Sequence, residues 1–382
     1  MVYDGLLTRF NNQVNTKAAA FADDLAILVG LRRTESVESA LSLHMKTIIN
    51  WCKTTGLQMA GEKTEIMMLT GMRVPKIINV RLMGTTLSTR DTMKYLGVVL
   101  DSRRTFFNHI SAVCARADAV VGAIRGLLPN VNGPSHVCRR LYYRVWKSVV
   151  LYATPVWKDA LATSRIIEKP RRAQRNALIG TSTVYRTVSY AALCVLTGMM
   201  PIHIRARWRW RMFEARKSAT IDPEEPEVVS ARLARLEQEA VEDWRRDWSA
   251  YNADNWTRRL IQGGATFWKK KDSDIDYYTM QLLIGHGIFN QYRLRIRNAT
   301  DSRCWDCGAS PDDAEHVLLG CPRWALQRTT LENLAEQRLT VQNIAGIVAA
   351  DDRIWGQFRA FCGTVMRARQ AKEKEVERPR RG

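Results

Sequence analysis

The chain has 382 residues, with 58 lysines and arginines against 38 aspartates and glutamates, for a formal net charge of +20. That balance points to a polyanionic partner, nucleic acid first and an acidic membrane surface second, and the length allows two or three domains. No stretch approaches the roughly 18 uncharged apolar residues of a bilayer span, and MVYDGLLTRF lacks the basic segment and apolar core of a secretion signal, so the eight cysteines are read as reduced thiols.

Residues 18–29, AAAFADDLAILV, predict two short strands joined by a turn at Asp23-Asp24, since aspartate favours turns and apolar residues flank the pair. Those flanks imply strands buried right up to the turn. Glu35 and Glu38 suit the first turn of a helix in which Val37, Leu41, Met45, Ile48 and Cys52 repeat at helical spacing up to Gly56. Strand candidates follow at 65–69, 77–82 and 95–100. From Phe106 onward helices dominate, punctuated by Pro129, Pro155, Pro170 and Pro201. Residues 223–248 predict one long amphipathic helix with Leu233, Leu236, Ala240, Trp244 and Trp248 on a single face. After Cys321 come further helices and a charged end, EKEVERPRRG, expected to fray. The fold class is α+β, a mixed front followed by a mainly helical remainder.

Two carboxylates about 4 Å apart repel by roughly 4 kcal/mol at an effective dielectric near 20. A divalent cation reverses that sign, and magnesium takes one or two carboxylates together with substrate phosphates. An Asx-type hairpin turn and a metal-binding pair both remain open on these residues alone.

RCWDCGASPDDAEHVLLGC spaces Cys304, Cys307, His316 and Cys321 as C-x2-C-x8-H-x4-C. Two cysteines separated by two residues aim their thiolates at one ion from a tight turn, which Gly308 favours. His316 and Cys321, near the end of a short helix stopped by Gly320, close a tetrahedral shell. Four protein ligands leave no open position, and soft sulfur selects Zn2+, so the reading is a structural zinc. Trp305 and Trp324 beside the ligands either stack on bases or cover a small core.

Basic residues mark where nucleic acid could run. Arg139, Arg140, Arg144 and Lys147 recur near helical spacing, followed by Arg165, Lys169, Arg171, Arg172 and Arg175, and the segment IRARWRWRMFEARK alternates arginine with Trp208 and Trp210. His286, between two glycines in LLIGHGIFNQY, is given no role.

Phe21-Ala22-Asp23-Asp24 resembles the aromatic-x-Asp-Asp box of reverse transcriptases. VYDGLL before it, Gly56-Leu57 with Glu62-Lys63-Thr64-Glu65 after it, and Lys94-Tyr95-Leu96-Gly97-Val98 are similar, in order and spacing, to non-LTR retrotransposon reverse transcriptases of the type inserting into ribosomal RNA genes. YRTVSYAAL, TGMMP and LLIGHGIFNQY resemble blocks downstream of the palm in the same elements. The resemblance implies the C-terminal half of a right-hand polymerase palm at 1–101, a helical thumb at 102–200, a helical connector at 201–300, a CCHC zinc knuckle at 301–325 and a helical tail at 326–382.

It also implies RNA-directed DNA synthesis by a two-metal mechanism in target-primed reverse transcription, a nuclear process, with an RNA template, a DNA primer or target and dNTP as partners. Asp23 would be the principal Mg2+ ligand and Asp24 its partner. Lys63 matches a lysine suited to protonating the leaving pyrophosphate, and a solvated loop lysine is the competing reading. Tyr95, Leu96, Gly97 and Val98 would position the primer, with Gly97 in a bulge or tight bend. The thumb would carry Arg139, Arg140, Arg144, Lys147, Arg171, Arg172 and Arg175 along the duplex.

The family also requires an aspartate on a strand well upstream of the box, a Gln-Gly motif between them, and an endonuclease, whereas only 22 residues precede Asp23. The sequence-based expectation is a C-terminal portion of a longer polyprotein, or a truncated genomic copy of one, inactive in synthesis by itself. The alternative is a non-catalytic, zinc-stabilised nucleic-acid-binding protein.

Overall fold

The computed structural model describes residues 3–72, 76–125, 136–182, 184–252, 255–264 and 275–377; Pro129 and residues 378–382 lie outside them. The chain divides into two compact units, Met1–His109 and Ile110–Gly382.

The first unit runs α1 (Asp4–Asn11), β1 (Thr16–Phe21), β2 (Asp24–Val29), α2 (Thr34–Thr55), β3 (Ile66–Met67), β4 (Asn79–Leu82), β5 (Thr85–Arg90), β6 (Thr92–Tyr95) and β7 (Val98–Asp101). β1 and β2 form an antiparallel hairpin, β5 lies between parallel β3 and antiparallel β4, and β6–β7 is a second hairpin. Helix α2 has the expected extent and ends at Gly56. Its Ile48 and Cys52 close on Leu6 and Phe10 of α1, with Ala18, Leu25 and Ile27 of the hairpin packed against them.

The expectation of strands buried right up to the turn is overturned. Along β1, Thr16, Ala18 and Ala20 point toward the helices while Lys17, Ala19 and Phe21 point out, and Phe21 is 65% exposed. A strand shows alternate residues to opposite faces, and this two-stranded sheet covers only one of them. The turn is also displaced by one residue. Phe21 pairs with Asp24, so Ala22 and Asp23 form the two-residue loop and Asp24 begins β2. The expected strand at 95–100 is likewise a hairpin, because Leu96 and Gly97 take φ of 44° and 80° between paired Tyr95 and Val98.

The second unit is helical: α3 (Phe107–Arg125, which opens in the first unit), α4 (His136–Val150), α5 (Thr154–Trp157), α6 (Ser164–Thr181), α7 (Tyr190–Thr197), α8 (Ile202–Ile221), α9 (Pro226–Ser249), α10 (Trp256–Leu260), α11 (Tyr277–Ile284), α12 (Asn290–Arg295), α13 (Ala325–Ala335), α14 (Ile344–Ala350) and α15 (Asp352–Glu377). α9 buries Leu236, Ala240, Trp244 and Trp248 on the anticipated face, together with Val241.

Pro170 does not separate helices; it lies inside α6. A proline there removes a backbone bond, at about 3 kcal/mol, and the helix persists because Ala173, Gln174, Ala177 and Leu178 of the same element are buried. The charged end is helical through Glu377, where Glu373 is held by Arg293 at 2.8 Å.

Gln174 ties three helices together. Its Nε2 donates to Tyr143 Oη (2.7 Å) on α4 and to the Met200 carbonyl (3.0 Å), and its Oε1 accepts from the Ile202 amide (2.7 Å) at the start of α8. Tyr190 Oη donates to the same oxygen. This residue fixes the register of α8 against α4.

Candidate functional site

In the first unit the acidic pair sits at the tip of the β1–β2 hairpin. Asp23 is in the loop, where Ala22 has φ 53°, and Asp24 shares the open face with Phe21. Both carboxylates are exposed, and among the described residues neither forms an ion pair. Hard, solvent-facing oxygens on adjacent residues suit a magnesium ion completed by other oxygen ligands. Among the described residues no third acidic, histidine or cysteine ligand converges on them. Lys63 is exposed at the end of a 3-10 turn, Gly61–Lys63. In the second hairpin Val98 is buried, Tyr95 is half-buried, and Leu96 and Gly97 project as the turn. Asp101, just beyond, accepts from the Thr105 and Phe106 amides at 2.9 and 2.6 Å and so fixes the chain entering α3.

The basic residues singled out in the sequence divide into two sets. Arg139 is 3% exposed, so it belongs to the interior. Arg171 is engaged by Glu168 (3.2 Å) and by His203, whose Nδ1 accepts from Arg171 Nε at 3.3 Å. His203 Nε2 in turn meets Asp247 at 3.0 Å, a bond that holds the Asp247 carboxyl below its ordinary range. Arg175 donates to the carbonyls of Arg186 and Val188. These three arginines correct the expectation of a uniform phosphate-binding face: an Arg head that satisfies buried or local acceptors is not free for solvent phosphates. Arg144 and Arg172 are exposed, and Arg140 and Lys147 are half-buried.

The second unit also gathers Cys304, Cys307, His316 and Cys321, whose ligand atoms all lie within 4.8 Å of one another. Cys304 Sγ is 4.0 Å from Cys321 Sγ, and Cys307 Sγ is 3.3 Å from His316 Nε2. Sulfur–zinc bonds of about 2.3 Å in a tetrahedron give sulfur–sulfur edges near 3.8 Å, so the donor set fits such an ion.

Local backbone builds the cluster. Gly308, at φ 76°, turns the chain so that its amide reaches the Cys304 carbonyl (2.9 Å), and the Cys304 amide reaches that of Ala309 (2.8 Å). Residues 316–320 form a π turn in place of the expected ordinary helix, with the Cys321 amide donating to the His316 carbonyl. At 100° per residue an α-helix would set these ligands about 140° apart, and the wider turn returns them to one side. Burial pushes the Cys304 and Cys321 thiols up, Cys321 to about 12, so these buried sulfurs need a cation to ionise at neutral pH.

Trp324 is 2% exposed, which removes it from any stacking role on bases. Trp305 has the Arg293 and Arg369 guanidinium groups 5.0 and 5.8 Å from its ring.

Sequence reasoning missed one assembly. Thr187 Oγ1 lies 2.9 Å from His286 Nδ1 and 3.0 Å from Tyr292 Oη, and His286 stacks on Tyr292. Arg295 donates to His286 Nε2 (3.0 Å), and burial followed by that charge holds the imidazole down to about 4, hence neutral. YRTVSYAAL and LLIGHGIFNQY are therefore one packed structure.

Residues 1–100 match the family model for reverse transcriptase (RNA-dependent DNA polymerase). The chain is 28% identical over 337 residues to a retrovirus-related Pol polyprotein from type-1 retrotransposable element R1 4 of Nasonia vitripennis, covering 81% of this chain and 85% of that protein. It is 29% identical over 351 residues to a putative 115 kDa protein of a type-1 retrotransposable element of Drosophila melanogaster, covering 89% of this chain and 34% of that longer protein. A probable RNA-directed DNA polymerase from transposon BS of Drosophila melanogaster is 28% identical over 161 residues, 41% of this chain and 18% of that one. No solved structure matches. The resemblance read from the aromatic-x-Asp-Asp box is thus one to R1-type non-LTR retrotransposon reverse transcriptases.

Proposed function

We propose that this relative of R1-type reverse transcriptases is the C-terminal portion of an RNA-directed DNA polymerase acting in target-primed reverse transcription at nuclear DNA. The observation that carries the reading is the β1–β2 hairpin. Its tip presents the Asp23 and Asp24 carboxylates, exposed and without an ion-pair partner among the described residues, in a unit that matches the reverse-transcriptase family. Asp23 is the principal magnesium ligand and Asp24 its partner. Bound magnesium supplies charge stabilisation at the phosphate undergoing transfer and lowers the pKa of the attacking hydroxyl. Lys63 donates a proton to the leaving pyrophosphate, and the Tyr95–Val98 turn holds the primer strand.

In the second unit, Arg140, Arg144, Lys147 and Arg172 are the members of the expected basic set that reach solvent, and they contact the phosphates of the template–primer duplex. Cys304, Cys307, His316 and Cys321 hold a structural zinc ion, with four protein donors and no position left for substrate.

Primer extension on an RNA template, by the chain and by the longer polyprotein in which we place it, tests this reading. D23N should abolish synthesis while duplex affinity stays unchanged or tightens slightly through reduced repulsion. Synthesis that survives D23N overturns it. A zinc-stabilised binder without catalysis is the second reading, favoured by the location of the Cys-His cluster in the unit that lacks the acidic hairpin. Duplex binding with no synthesis in either protein selects it.

A further inference from the structure

Helix α8 carries arginines at every second position, Arg205, Arg207, Arg209 and Arg211. Two positions along an α-helix turn a side chain by about 200°, so alternate arginines look in opposite directions, whereas residues four apart share a face. One pair faces α9 and is neutralised there, Arg207 by Asp243 (3.6 Å) and Arg211 by Glu239 (2.6 Å).

The other pair faces α4. Gln174 sets the alignment by bonding Tyr143 of α4 and Ile202 of α8, and the residues one turn further along are Lys147 on α4 and Arg205 on α8. Lys147 consequently has Arg205, Arg144, Arg209 and Arg140 around it, and burial together with these like charges holds its ammonium down to about 8. Burial holds the Arg205 guanidinium below its ordinary range; besides the Lys147 cation, the titratable groups that face it are the Tyr143 hydroxyl of α4 and the Glu237 carboxylate of α9. Arg205 also lies 4.8 Å from the Trp208 ring, and Lys158 lies 4.2 Å from that of Trp210, so both tryptophans are occupied as flat supports for cations.

A fold that gathers like charges while pairing the neighbouring arginines on the same helix stores repulsion that an anion relieves. Positions four apart on a helix are about 6 Å apart along its axis, which suits successive phosphates of one strand rather than a single small anion.

We infer that Arg205 and Arg209 of α8 join Arg140, Arg144 and Lys147 of α4 in one phosphate-binding track for a nucleic-acid duplex, and that Arg207 and Arg211 take no part in it. The inference rests on the nucleic-acid reading above and extends it to a helix outside the previously expected thumb set.

The test is the salt dependence of binding of a short fluorescein-labelled DNA duplex to the full chain, followed by anisotropy. Each lost phosphate contact lowers the slope of log affinity against log salt by about 0.9. R205Q/R209Q should therefore flatten the slope by about 2, R207Q/R211Q should leave it unchanged, and R205K/R209K should retain it. Thermal melts of each variant establish that it is folded. Equal slopes for the two glutamine pairs, or an unchanged slope for R205Q/R209Q, overturn the track while leaving the nucleic-acid reading standing. Failure of the unmodified chain to bind duplex at all overturns that reading, as does binding confined to anionic phosphatidylserine vesicles.

Discussion

Arg369 of α15 places Nη1 3.9 Å from Sγ of Cys304, with the guanidinium 1% exposed. Its Nε donates to the Ile288 carbonyl (2.7 Å), and its other nitrogens pair with Asp306 (3.4 Å) and Asp312. Lys372, one turn later, reaches Asp306 and the Trp305 carbonyl. The last long helix is thus bolted to the loop that carries the first two cysteines.

Removing one partner of a buried ion pair leaves an uncompensated charge, here on Asp312 at 0% exposure, and costs about 3–5 kcal/mol. R369M should lower unfolding stability by that amount in the zinc-loaded chain. R369K should restore part of it, because a lysine keeps the charge but not the fork that reaches three acceptors at once. Denaturant titration of the three proteins checks this, and an R369M midpoint equal to the parent's would show that the pairing carries no net stability.

The cysteine cluster gives a metal prediction. C304S should release zinc into a colorimetric chelator at concentrations where the parent retains it, and removing zinc from the parent should lower its melting temperature. Because α15 packs onto the same loop, the loss should extend to protection of α15 amides in hydrogen exchange. Loss of zinc with α15 protection intact would show the loop to be an independent module.

Gln174 is the internal counterpart on the basic side of the unit. Q174L fits the volume but strands the Tyr143 hydroxyl and the Met200 carbonyl, while the Ile202 amide keeps its bond to Tyr190 Oη (3.2 Å), at about 1–3 kcal/mol for each group left unsatisfied. A destabilisation of about 3–5 kcal/mol is expected by urea unfolding. The salt slope for duplex binding should fall as well, since Arg205 and Lys147 lose their common alignment.

What the sequence disclosed follows from how local the signal was. α2 and α9 were legible because their apolar residues repeat within one element, and the cysteine cluster because four ligands fall between 304 and 321 on adjoining turns. β5, TTLSTR, was missed since its one apolar residue shows no alternation, and the apolar run at 95–100 read as one strand although the resemblance already placed a tight bend at Gly97, where the β6–β7 turn lies. Thr187 and His286 stand 99 residues apart, and no periodicity connects them. The arginines of α8 look alike in sequence; only the acids of α9 on one side and the cations of α4 on the other distinguish them.

Lys147 gives this distinction a pH dependence. Its ammonium loses its proton near pH 8 in the folded chain and near 10.5 in the unfolded one, so between those values the unfolded state holds more protons and stability rises with pH. Below pH 8 the penalty is complete and constant. K147M removes it, and at pH 7 the variant should exceed the parent by about 1 kcal/mol, a figure already reduced for solvent screening of a half-exposed group. Denaturant midpoints of the two proteins should converge as pH approaches 10.5, and a gap that does not vary with pH would rule out the charge as its cause. Phosphates along the track restore the proton's stability by supplying the missing opposite charge. Saturating duplex at pH 7 should therefore stabilise the parent more than K147M and narrow or invert the gap, an outcome that lost apolar packing at this position would not produce.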